Sequence, residues 1–198
     1  LERLAARGMT FTHAYSASPL CTPTRASILT GQSPARTAIT LPPKFDQPPV
    51  LKSDNWRKAR PSDKTMEPES VSVIAPSYYT LAEALRDNGY ATAHIGKWHL
   101  GYGDRGPNNQ GFDESIHMDD MYYLPKDDPN VVNAELDFDP IDKFLWARGD
   151  FANSFNGGEP FRPASYLTDY WTDESLKVIE VNKNRPFFLY LAHWGVHT

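Results

Sequence analysis

The chain has 198 residues, 40% of them hydrophobic, with 25 acidic against 20 basic side chains and a formal net charge of -5. That length and apolar content suit one globular domain with a sizeable core and exclude a disordered chain. The acidic balance argues against a nucleic-acid surface, which needs clustered Lys and Arg, and no apolar run reaches the roughly 20 residues of a membrane-crossing helix. No charged segment followed by an apolar stretch, the pattern of a secretory leader, opens the chain. It begins at Leu1 inside what reads as the end of a helix and stops at Thr198 just past a strand, so it reads as a fragment of a longer protein. Its single cysteine, Cys21, can form no internal disulfide and stands as a candidate nucleophile.

In chain order, Leu1, Leu4 and Ala5 have helical spacing up to Arg7, with Gly8 as a left-handed stop. Met9 to Ala17 partly alternates Thr, Ala and aromatic residues and reads as a strand that reaches a turn at Ser18 and Pro19. Pro23 suits the first turn of a helix running through Ala26, Ile28 and Leu29 to Gly31, since proline lacks only an amide hydrogen that would be unpaired there. Cys21 therefore falls at a strand-to-helix junction. From 41 to 76 the chain is rich in Pro, Lys, Asp and Ser without a period, and reads as a surface excursion.

Thr80-Leu81-Ala82-Glu83 has the pattern of a capping box and predicts a helix to Asn88 with Gly89 as its stop. Tyr90 to Gly96 reads as a buried strand, with Lys97 to Gly101 following its end. The segment from 107 to 163, dense in Asp, Asn, Gly, Pro and aromatic residues, reads as irregular structure with short helices that shapes a pocket. Leu167, Trp171, Val178 and Ile179 share one face of a helix ending near Asn184. Pro186 then leads into Phe187 to Ala192, a continuous apolar run expected of a strand covered on both faces. Two helix-then-strand units, each ending in a polar cluster, predict an α/β protein with a mostly parallel central sheet flanked by helices. Ligands of such sheets bind beyond the carboxyl ends of the strands, where the Lys97 and His197 clusters lie.

Three segments carry chemistry. Cys21 to Gly31 contains Cys-x-Pro-x-Arg followed by a small-residue helix and glycine. Gly89 to Gly101 ends in Gly-Lys-Trp-His-Leu-Gly, and Pro186 to Thr198 is an apolar strand ending in His-Thr. In this order, and over nearly the whole chain, they resemble the formylglycine-dependent sulfatases of the alkaline phosphatase superfamily. The resemblance implies an alkaline-phosphatase-like core incomplete at both ends, with residues 1–198 as part of a single catalytic domain, and hydrolysis of a sulfate ester, with a sulfated carbohydrate as the expected substrate. It further implies that a maturation enzyme oxidises Cys21 to formylglycine before folding buries it. The hydrated aldehyde carries two hydroxyls, one to attack sulfur and one to expel sulfate by elimination, which splits one hard step into two.

By the same resemblance, Arg25 holds the hydrate and Lys97 neutralises a sulfate oxygen. His99 accepts a hydrate proton, and His197 contacts the sulfate or protonates the departing alcohol. Lys97 and His99 are expected to share one side of an extended segment, with Trp98 packed on the other. The family's divalent cation, usually calcium, would use Cys21 as formylglycine, its other ligands falling outside this fragment. An exported address, periplasmic or extracellular and lysosomal in a eukaryote, is also implied by resemblance alone. His117, Asp119 and Asp120 are candidates for a further sulfate or substrate contact. His193 competes with His197, while His13 and His94 read as packed, hydrogen-bonded side chains. Two other functions fit the same residues: hydrolysis of phosphonate or phosphate esters, and a non-catalytic glycan- or anion-binding remnant.

Overall fold

A computed structural model of the chain describes residues 2–42, 62, 71–118, 153–159, 161, 163 and 165–195. Among these residues four strands form one sheet: β1 (Ala91–Lys97), β2 (Glu114–Met118), β3 (Ser154–Phe155) and β4 (Phe187–Ala192), in the order β3-β2-β1-β4. β1 is parallel to both neighbours, with Ile95 opposite Ile116 on one side and Leu191 on the other, and β3 runs antiparallel to β2. The expected α/β architecture with a mostly parallel sheet is therefore present.

Alternation along β1 builds two apolar layers. On one face, Trp98, Leu100 and Phe112 pack with Ala26 and Leu29 of α2 (Cys21–Thr30) and with Ile39, Ile74 and Ala82. On the other, Ile95, Ile116 and Met118 meet Trp171 of α5 (Leu167–Asn182). The Trp171 indole, completely buried, donates to Asn153 Oδ1 at 2.8 Å. Helix α4 (Leu81–Asp87) starts with the expected capping box: Thr80 Oγ1 accepts from the Glu83 amide, and the Glu83 carboxylate accepts from the Thr80 amide. The short helices α1 (Glu2–Ala5) and α3 (Pro34–Thr37) flank α2 in sequence. No helix among the described residues is long and apolar enough to cross a membrane.

Several expectations are corrected. Gly8 does not adopt a left-handed backbone, whereas Gly31 and Gly89 do. Met9 to Ala17 is not a strand: no described strand runs beside it to take up its backbone groups, and Met9, Phe11 and Tyr15 are exposed. His13 in that segment is exposed as well rather than packed. β4 stands at the edge of the sheet among the described residues, partly exposed through most of its length rather than covered on both faces. Helix α5 ends at Asn182, and Ile179, placed by spacing on its buried face, is exposed. The segment 107–163, expected to be irregular, contributes β2 and β3 as well as a short 3-10 turn at Pro107–Gln110.

Gly96 shows how closely the strands approach. Its φ is +119°, and a Cβ there would sit 2.1 Å from the Ala192 carbonyl oxygen of β4. Alanine must therefore both adopt a backbone that L-residues avoid and push two strands apart. Gly96→Ala is expected to lower the stability of the full-length protein by about 3 kcal/mol or more, read by urea denaturation. A loss below about 1 kcal/mol would show that β1 and β4 separate easily.

Candidate active site

The site is built where α2 begins against the end of β1. Leu20 precedes α2 in an extended conformation and provides no side-chain cap, so Cys21 opens a ten-residue helix whose first amides point outward. That end is docked by side chains. Thr22, wholly buried, donates to the His99 carbonyl at 2.9 Å, and Thr24 donates to the Ser18 carbonyl at 2.7 Å. One turn inside, Arg25 Nη1 donates to the Lys97 carbonyl at 2.6 Å. Three residues of one helical turn thus fasten the Cys21 end to the loop before it and to the exit of β1.

His99 completes the approach. β1 stops at Lys97, and His99 adopts a left-handed backbone with φ 58°. For a non-glycine residue this conformation costs about 1 kcal/mol or more, and such strain tends to gather at functional sites. It brings His99 Nδ1 to 3.3 Å from Cys21 Sγ. The extended Lys-x-His geometry expected from sequence is therefore replaced by a turn. The other half of that expectation holds: Trp98 packs into the core and donates to the Arg105 carbonyl at 2.8 Å. The Cys21 thiol and the His99 imidazole are thus within hydrogen-bonding reach of each other.

Lys97 is only 4% exposed. Burial pushes its pKa down from 10.5 to about 8, with Cys21 opposing that fall and Arg25 adding to it. Arg25 is also lowered, chiefly by burial, while nearby Tyr190 and Cys21 favour its charged form. Burial raises Tyr190 in turn, against the influence of Arg25. Two cations gathered at a helix N-terminus form an environment for an anion, because the outward amides and the helix dipole add to their field.

Of the predicted residues, Cys21, Arg25, Lys97 and His99 come together; His197, Asp119 and Asp120 lie outside the described residues. His117 is buried in β2, with Nδ1 3.0 Å from Ser115 Oγ. His193 turns its ring toward Trp171, 6.3 Å between centroids. His94 is packed as expected, ringed by Trp98, Phe112, His117 and Tyr190. Neither of its ring nitrogens makes a well-formed hydrogen bond, and the contact that comes nearest to the expected bonding is with the Lys97 backbone. Burial first, then His117 and Arg25, hold its pKa well below the ordinary value, which keeps it neutral beside the guanidinium. Sequence reasoning missed Thr22, Tyr190 and Trp194. Only Thr22 left a trace there, as a small polar residue between Cys21 and Pro23.

Among the described residues no three His, Cys, Asp or Glu side chains gather as a cation would require. The residues present do not by themselves fit the implied calcium, and no step below passes through a metal.

Comparison with known proteins places the chain and its fold. The Sulfatase family model matches residues 1–198. The chain is similar to an arylsulfatase of Hemicentrotus pulcherrimus, 31% identical over all of this chain and 32% of that protein. It is equally similar to the N-acetylgalactosamine-6-sulfatase of Mus musculus, 31% identical over all of this chain and 34% of that protein. It thus spans about a third of the length of these relatives. Among solved structures, Ps i-CgsB in complex with k-i-k-neocarrahexaose superposes with a TM-score of 0.58 at 25% identity, over 93% of this chain and 36% of that one. BT4656, in complex with its substrate D-glucosamine-2-N,6-O-disulfate, shares the fold with a TM-score of 0.59 at 22% identity, over 99% of this chain and 29% of that one. The partial sheet described above is accordingly part of an alkaline-phosphatase-like core. With the family model covering every residue from the α2 docking site to the end of β4, this chain belongs to the Sulfatase family.

Proposed function

We propose that the protein containing this chain hydrolyses sulfate esters, with a nucleophile made from Cys21. The observation that carries the reading is the convergence, at the start of α2, of Cys21, His99 3.3 Å away, and two cations, half-buried Arg25 and buried Lys97. Oxidation of the thiol to an aldehyde, and its hydration, would supply two hydroxyls on one carbon, one to attack and one to expel the product.

The roles of the chain's own residues follow from position. Arg25, fixed through the Lys97 carbonyl, faces the modified side chain and favours its anionic form. Lys97 offers a desolvated positive charge to a sulfate oxygen as charge builds in transfer, where a dry site makes it worth more than in water. His99 Nδ1 takes the proton whose loss drives sulfate out. His197, assigned by resemblance, protonates the departing alcohol. The substrate is read as a sulfated carbohydrate, a reading supported by the name of the N-acetylgalactosamine-6-sulfatase relative and by the neocarrahexaose bound to Ps i-CgsB. A divalent cation held partly outside this chain, a maturation enzyme acting on Cys21 and an exported address belong to the same proposal.

Two measurements test it. Peptide mass spectrometry of the full-length protein, from a host with the maturation enzyme, should find an aldehyde at position 21. Parallel assays on sulfate, phosphate diester and phosphonate esters should show turnover of the sulfate ester foremost. An unmodified thiol with no turnover would leave anion or glycan binding as the function, and preference for a phosphorus ester would reassign the substrate.

A further inference from the structure

Lys97 has an unusual environment for a buried ammonium. Among the described residues no carboxylate pairs with it, and Arg25 repels it. What it does meet is an aromatic face: Nζ lies 4.0 Å from the centroid of the Trp194 ring. This is inside the roughly 6 Å over which a ring quadrupole attracts a cation. Trp194 follows the end of β4 and is half-buried, packed against the layer of Ile95, Ile116, Met118 and Trp171. Its ring is therefore gripped by apolar residues from β1, β2 and α5.

We infer that Trp194 is the positioning residue for Lys97, its indole face holding the ammonium by cation–π contact where a sulfate oxygen is to be met. The inference rests on the reading of Lys97 given under Proposed function. Its physical sense lies in what a carboxylate would do instead. An Asp or Glu at 4 Å would fix the lysine equally well but neutralise the charge the anion needs. A quadrupole fixes the cation and leaves its full charge to be met from the open side. Without either, four rotatable bonds leave an ammonium poorly aimed. The other groups around Lys97 do not serve this purpose. From α2 come Cys21 and Arg25; His99 beyond β1 is engaged at Cys21; His193 at the end of β4 turns to Trp171; and across the β2 register stands Met118.

The test uses the full-length matured protein with Trp194→Phe, which keeps a π face, and Trp194→Leu, which keeps apolar bulk alone. Each is made with native Lys97 and with Lys97→Met, and folding is checked by circular dichroism. Trp194→Leu is expected to lower kcat/KM for a sulfate ester about tenfold, with Trp194→Phe recovering most of the loss. In the Lys97→Met background, Trp194→Leu should cost nothing further. With carbon-13-labelled lysine, the Lys97 ε-protons should be shifted upfield by the indole, and the shift should vanish in Trp194→Leu. Equal losses in the Phe and Leu variants, a loss that persists without Lys97, or unchanged kcat/KM despite loss of the ring shift would each overturn the inference. If the native protein hydrolyses no ester, the proposed function fails separately, and binding of inorganic sulfate decides this question. Binding about tenfold weaker in Trp194→Leu supports the assignment, and unchanged binding overturns it.

Discussion

Serine at position 21, in a full-length protein whose intact mass shows that the serine stays serine, is expected to stop catalysis after at most one turnover. The Oγ can occupy nearly the space of the thiol that now lies 3.3 Å from His99 Nδ1, and it keeps a proton that His99 can take. Attack on sulfur would release one equivalent of alcohol and leave a sulfate ester on the serine. That carbon bears no second hydroxyl, so elimination is closed and turnover waits for water to attack a crowded, anionic sulfur. The steady-state rate should fall by at least about 10³-fold, with an initial burst no larger than the enzyme concentration. Cys21→Ala should show neither burst nor turnover. Sustained native turnover by the serine variant would remove Cys21 from the role assigned to it. Both variants should remain folded, because the helix end is held by Thr22, Thr24 and Arg25 and not by residue 21.

Lys97→Met is expected to separate activity from stability. In the proposed role, where this desolvated cation meets charge developing on a sulfate oxygen, its loss should lower kcat/KM by about 10²- to 10³-fold. The native protein should itself lose kcat/KM as pH rises through about 8, because the free enzyme then gives up the Lys97 proton. Stability should move the other way. The folded-state pKa, about 8, lies below the unfolded value of 10.5, so between them the unfolded chain binds more protons and stability rises with pH. The cost is fully present below pH 8 and is relieved by about pH 10.5. It amounts to roughly 3 kcal/mol for a side chain this deeply buried. At pH 7 Lys97→Met should therefore stabilise the protein by on the order of 1 to 3 kcal/mol, after losing the contact with Trp194. Urea denaturation of both proteins at pH 7 and near pH 10 should show the gap narrowing. A variant less stable than native at pH 7 would mean that the charge is not held at a cost.

The elements read correctly from sequence are those whose signals are local. Thr80 and Glu83 announce a helix start because their bonds close within one turn, and Gly31 and Gly89 take the left-handed backbone that ends a helix. The apolar runs at β1 and β4 declare strands. β2 was hidden because its buried positions include Ser115 and His117, polar side chains satisfied by one another and by Asn108 rather than by an apolar neighbour. The opposite error arose at Met9 to Ala17, where alternation suggested a strand but pairing is a property of two segments. At the site, the family resemblance carried by the motifs named Cys21, Arg25, Lys97 and His99. They could not disclose the left-handed turn at His99, or that Trp194, nearly a hundred positions on, would cover Lys97, since both depend on how β1 is set beside α2 and β4.

The bond between α2 and the exit of β1 has a consequence in time. Cys21 and His99 are separated by 78 positions. At roughly 5 to 20 residues per second of synthesis, the ribosome needs about 4 to 16 s to travel from one to the other. Until the later residues emerge, the carbonyls that receive Thr22 and Arg25 do not exist, and the segment around Cys21 has nothing to dock against. Any enzyme that must reach this thiol in an open conformation therefore has its access limited by translation speed. Slowing elongation between positions 21 and 99 should raise the modified fraction without changing a single side chain.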